Sequence, residues 1–67
     1  MRVAQAIEDK VATGALRPGD KLPAEQDMAE EYQVAYSTIR RAMRELRERG
    51  LVESIWGKGT FIVERPG

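Results

Sequence analysis

The sequence predicts an α+β fold: a winged helix-turn-helix, with three helices followed by a small antiparallel β wing. Three observations carry this reading. Residues 24–50 read AEQDMAEEYQVAYSTIRRAMRELRERG, two helical patterns joined by the short turn Tyr32-Gln33-Val34-Ala35. Ahead of them, Pro18-Gly19-Asp20 combines the two strongest turn formers and leads into Lys21-Leu22-Pro23. Behind them, two β-prone runs flank the glycine-rich tip Trp56-Gly57-Lys58-Gly59.

The first element is an amphipathic helix over residues 2–13, with Val3, Ile7 and Val11 spaced by four and Ala4 beside them. Gly14 is its stop signal. Lys21-Leu22 has room only for a short extended piece before Pro23, and is expected to pair as an edge with the C-terminal hairpin. The second helix starts at Ala24 or Glu25. Acidic residues in its first turn suit the positive end of the helix dipole, although Ala24 cannot cap it. Met28, Ala29 and Tyr32 form its apolar stripe.

The third helix runs from about Tyr36 to Arg49 and is closed by Gly50. Ile39, Ala42, Met43 and Leu46 recur at i, i+3, i+4 and i+7, which places them on one face. Residues 51–55 and 60–63 are the strands of the wing. Met28, Ile39, Met43, Leu46, Leu51 and Phe61 are the expected core, and Trp56 is expected to pack against the hairpin and fix it, ahead of stacking on a nucleic acid. There are no internal repeats.

A chain of 67 residues is one domain, near the lower limit for a core that folds without a disulfide or a metal. It contains no Cys and no His, which excludes disulfides, zinc fingers and imidazole chemistry. An enzyme is not expected, and neither is a cofactor. No apolar run approaches a membrane span, and the N-terminus lacks a signal-peptide core, so a cytoplasmic protein is expected.

Eleven basic and eleven acidic residues balance to zero, and a nucleic-acid binder usually shows a basic excess. The distribution reverses that argument. Residues 20–31 hold five carboxylates against Lys21, a net of −4. Residues 36–49 hold five arginines against Glu45 and Glu48, a net of +3. A local field steers a polyanion to a surface even where the total charge vanishes. A basic second helix in a helix-turn-helix therefore points to duplex DNA. The competing view treats both runs as solvated faces held by pairs such as Arg41–Glu45 and Arg44–Glu48, which weakens the case for Arg47 and Arg49 most. A winged helix that only docks on an acidic protein partner is the alternative function.

The chain resembles the N-terminal DNA-binding domain of the GntR family of bacterial transcription regulators. The residues that carry the likeness are Pro18-Gly19-Asp20-Lys21-Leu22-Pro23, Thr38-Ile39-Arg40, Gly50-Leu51-Val52 and Gly57-Lys58-Gly59-Thr60-Phe61. Gly14, Leu16, Glu25, Ala29, Val34, Ala42, Leu46 and Val63 match as well. The resemblance implies a homodimeric regulator, a repressor, on a roughly palindromic operator. The third helix, residues 36–49, would lie in the major groove and the wing, residues 56–59, in a minor groove. It also implies that residues 1–67 form one DNA-binding domain. A second domain would bind a small-molecule effector and drive dimerisation, with its linker beginning near Pro66-Gly67.

Carried over position by position, Arg40 falls where the family has its base-contacting arginine. Ser37 and Thr38 fall where hydroxyls meet bases or phosphates, and Gly57, Lys58 and Gly59 form the wing tip. Gln26 stands where many members have Arg, Ala35-Tyr36 where Ser-Arg is common, and Arg41 where Glu is frequent. The operator of a better-known member therefore does not transfer.

The residues themselves add detail. A guanidinium at Arg40 matches the O6 and N7 acceptors of guanine, whereas Arg41 and Arg44 suit phosphates, to which most protein–DNA hydrogen bonds go. Tyr36 has two readings: a ring and hydroxyl presented to DNA, or a ring packed over the turn against Tyr32. Ser37 and Thr38 are alternatively caps of the third helix, and Thr38 is assigned to capping or a phosphate ahead of base reading. Lys58 is exposed under any reading.

Overall fold

The computed structural model describes residues 2–64, and its order of elements is α1 (Val3–Ala12), α2 (Glu25–Tyr32), α3 (Tyr36–Glu48), β1 (Val52–Ile55) and β2 (Gly59–Ile62). This is the winged helix-turn-helix that the sequence predicts. The expected linker at Pro66-Gly67 lies outside the described residues.

Helix α3 is the centre of the molecule. Ile39, Met43 and Leu46 are fully buried, and Ala42 completes the buried stripe. Val3, Ala4 and Ile7 of α1, Met28 of α2, and Val52 and Ile62 of the wing close around it. Truncating any of the three fully buried side chains to Ala costs about 2–5 kcal/mol by the usual cavity penalty, a large share of what so small a core supplies.

The turn before α2 is built as expected. Asp20 N–H donates to the Arg17 carbonyl at 3.0 Å, and Arg17 N–H donates to Asp20 Oδ2 at 2.8 Å. Gly19 takes φ +88°, as the third residue of a type II turn requires. The Lys21-Leu22 piece then pairs with β2 through an antiparallel bridge from Lys21 to Phe61. Three backbone bonds of 2.8 Å secure it: Gly19 N–H to the Ile62 carbonyl, Ile62 N–H to Asp20, and Leu22 N–H to Thr60. Strand β2 therefore lies between this piece and β1.

One detail differs from expectation. Phe61 is only half-buried and stands outside the core cluster. The register pairs Val52 with Ile62 and Glu53 with Phe61, so alternation turns Ile62 inward and Phe61 to the outer face. The helix-turn-helix turn passes through Gln33 in the left-handed region, φ 56°, with no Gly or Asn to mark it. Its N–H still bonds the Glu30 carbonyl, and Val34 N–H closes on Ala29 at 3.1 Å, which satisfies the end of α2.

Candidate nucleic-acid interface

Burying one face of α3 obliges the opposite face to meet solvent. Ser37, Arg40, Arg41, Arg44 and Arg47 are exposed there and line one shallow concavity. Among the described residues the ion pairs are Arg2–Glu45, Lys10–Glu31, Arg49–Glu8 and Arg49–Glu45. None involves Arg40, Arg41 or Arg44. The Arg41–Glu45 and Arg44–Glu48 pairs of the solvated-face view do not form. Glu45 is half-buried and turns instead to Arg2, at 3.1 Å, and to Arg49, at 3.3 Å. The hydrogen bond to Glu8, followed by the charge of Glu8, raises the pKa of Arg49. Arg49 thus ties α3 to α1 and is spent on structure.

A second, larger concavity of about 850 Å³ opens between the start of α3 and the wing. Lys21, Arg40, Arg47 and Lys58 line it, with Glu25 the carboxylate among them. Arg47 spans its floor, Nη1 reaching Ser54 Oγ at 3.4 Å. Lys21 lies across the wing strand: a Cβ built at Gly59 would come within 2.8 Å of Lys21 Cε, and Gly59 itself takes φ +126°. Neither Lys21 nor this use of Arg47 was singled out from sequence. The signal available for Lys21 was its place in a piece expected to pair beside the wing.

Tyr36 and Tyr32 do not stack. The Tyr36 hydroxyl donates to Glu25 Oε1 at 3.0 Å, and 45% of the residue remains exposed. The Tyr32 hydroxyl accepts from Lys10 Nζ at 3.1 Å, and that nitrogen lies 5.4 Å from the ring centroid. The packing alternative for Tyr36 is therefore corrected, because Tyr32 is turned toward α1.

Ser37 and Thr38 diverge. Ser37 faces the arginine concavity, while Thr38 lies on the flank toward α1 with Arg2, Arg41 and Glu45. The N-cap of α3 is Ala35, which makes no side-chain cap; its carbonyl accepts from the N–H of Thr38 at 3.0 Å. Gln26 is exposed in the first turn of α2. Gly57 and Lys58 are exposed at the hairpin tip, closed by a 2.9 Å bond from Lys58 N–H to the Ile55 carbonyl, and Gly59 opens β2.

Trp56 departs most from expectation. It is 98% exposed and packs on nothing that would fix the hairpin. A residue at the very tip of a three-residue turn has no partner across the ladder, so neither face of the wing can cover it. No group of three or more potential metal ligands occurs among the described residues, nor a helix long and apolar enough to cross a membrane.

Comparison with known proteins agrees with this architecture. Residues 1–62 match the model of the family described as bacterial regulatory proteins, gntR family. The chain is 41% identical over 63 residues to the mannosyl-D-glycerate transport/metabolism system repressor MngR of Escherichia coli (strain K12), covering 94% of this chain and 26% of that protein. It is 39% identical over 66 residues to the histidine utilization repressor of Klebsiella aerogenes, covering 98% and 27%. The chain thus spans about a quarter of the length of these curated relatives. Among solved structures, a GntR family transcriptional regulator from Listeria monocytogenes superposes with a TM-score of 0.90 at 30% identity, over 94% of this chain and 55% of that one. AraR(DBD) in complex with operator ORX1 gives 0.86 at 33% identity, over 91% and 74%.

Proposed function

From this chain's membership of the gntR family of bacterial regulatory proteins, we propose that it reads operator DNA for a transcription regulator, acting as a repressor. The observation that carries the reading is the exposed face of α3, where Arg40, Arg41 and Arg44 make no ion pair among the described residues. Their charge is available to a polyanion without first breaking a salt bridge.

In this reading α3 lies in the major groove, which is wide enough for a helix. Arg40, in the second turn, donates two hydrogen bonds to guanine O6 and N7. Arg41 and Arg44 hold phosphates, which set register without reading sequence. Ser37, Thr38, Tyr36 and Gln26 contribute at the helix starts. The wing, with Gly57, Lys58 and Gly59, approaches a minor groove, and one sugar-phosphate strand passes between wing and helix. Each phosphate neutralised releases condensed counterions, so affinity falls with salt.

The relatives named as repressors, and the AraR domain held on its operator, support the same role. The whole regulator is proposed to be a cytoplasmic homodimer on a palindromic site, with an effector bound outside these residues. No reaction is assigned to it. The test is selection of preferred duplexes from a random pool with the 67-residue chain, followed by gel shift over a salt series. A recurrent half-site with salt-dependent affinity is expected. No enrichment and no shift at low salt would overturn the proposal in favour of a module that docks on protein.

A further inference from the structure

A small domain ordinarily places its largest aromatic in the core. Here Trp56 is 98% exposed, and its neighbour Ile55 is 40% exposed. Together they make the hairpin tip an apolar point. That point sits on the rim of the cleft lined by Lys21, Arg40, Arg47 and Lys58, where Glu25 is the opposing charge. An apolar tip beside a cationic cleft fits a ligand that presents anions and apolar walls a few ångströms apart. A duplex does so: its phosphates lie next to the deoxyribose faces that line the minor groove.

Resting on the DNA-binding reading above, we propose that Trp56 enters the minor groove. The phosphates of the bordering strand occupy the cleft, the ring lies along the sugar walls, and Nε1–H donates to an acceptor on the groove floor. The indole N–H is a donor only. The floor offers acceptors at adenine N3 and thymine O2, whereas guanine adds an N2 amino group, itself a donor, which opposes the indole N–H. Trp56 therefore selects A·T over G·C beside the site read by α3. This preference would be set by a residue that makes no major-groove contact.

The chain contains a single tryptophan, so its emission reports this side chain alone. The probes are end-labelled duplexes of the selected half-site whose flanking pairs are all A·T, all G·C, or all inosine·C, which lacks the amino group. Label anisotropy measures binding independently of the tryptophan. On binding A·T, emission is expected to move to the blue and acrylamide quenching to fall severalfold. The A·T and inosine·C duplexes are expected to bind about five- to tenfold more tightly than G·C. Trp56→Phe keeps an apolar ring without the donor and should bind while losing the preference, whereas Trp56→Ala should weaken binding to all three. Circular dichroism checks folding, which an exposed side chain does not control.

Binding with quenching unchanged would overturn the inference and leave the DNA-binding reading intact. A Trp56→Phe protein that still prefers A·T would overturn it too. So would protection that grows with protein concentration without DNA, which would mean that a second copy covers the tip. No anisotropy change on any duplex at low salt would overturn the proposed function itself, and this inference with it.

Discussion

The hydroxyl of Tyr36 donates to Glu25 across 3.0 Å, joining the first residue of α3 to the first residue of α2. The bond holds in place the carboxylate that lines the cationic cleft. Glu25→Gln retains an acceptor for the hydroxyl and removes the negative charge. Binding to preferred and scrambled duplexes should tighten about threefold, since a unit charge ~6 Å from a phosphate at near-bulk dielectric is worth roughly 0.7 kcal/mol. The gain should fade as salt rises. Gel shift at two salt concentrations checks both, and weaker binding would mean that the carboxylate orients a contact.

Arg40→Ala should cost about 1–3 kcal/mol on the preferred site and relax preference at one base position. Lys58→Ala should weaken all duplexes alike and reduce the slope of log K against log salt by roughly one. Both residues are exposed, so both variants should fold. Equal loss by Arg40→Ala on preferred and scrambled duplexes would reassign Arg40 to a phosphate.

One helix and one wing cover only a single-module interface of about 600–1,000 Å². Micromolar or weaker binding is expected for the isolated 67-residue chain, and a large gain when two copies are joined. The gain comes from effective concentration, with no new contact. Nanomolar binding of a monomer to one half-site, measured alongside sedimentation, would contradict this.

Lys10 offers a stability test away from the interface. The hydrogen bond to the Tyr32 hydroxyl, aided by the charges of Tyr32 and Glu31, raises its pKa against the lowering effect of burial. A raised value means that the charged form favours the folded state. The contribution is complete below about 10.5, the ordinary lysine value, and is lost as pH rises through the higher folded value. The melting difference between the native chain and Lys10→Met should stay constant below that window and shrink within it. A difference that ignores pH would assign the effect to packing over the ring.

How much of this was legible in the sequence depends on whether a feature is local. Helix faces were, because Ile39, Ala42, Met43 and Leu46 announce their stripe by spacing alone. The turn at residues 17–20 and the pairing of Lys21-Leu22 were also readable, from Pro18, Gly19 and Pro23. Phe61 was not: both Phe61 and Ile62 are apolar, and only the register with β1 decides which one turns inward. Charge pairing is not settled by spacing for a similar reason. Arg41 and Arg44 have carboxylates at helical spacing, yet Glu45 is drawn to Arg49 and to Arg2, which caps α1 and is distant in sequence. The chemistry of Trp56 points to packing on the hairpin, but its position at a tip with no facing strand controls its exposure.

The stitching of residues 19–22 to β2 ends at the bond from Leu22 N–H to Thr60. One leg of the hairpin is thus splinted as far as Thr60, and the tip beyond it is a short cantilever. Amide exchange should therefore show a steep gradient, slow at Ile62 and fast at Gly57, because the outer residues can open without disturbing the core. Ordering the tip in a groove then constrains only a few residues. In the proposed complex the wing would adjust to a wider or narrower groove while α3 kept its seat.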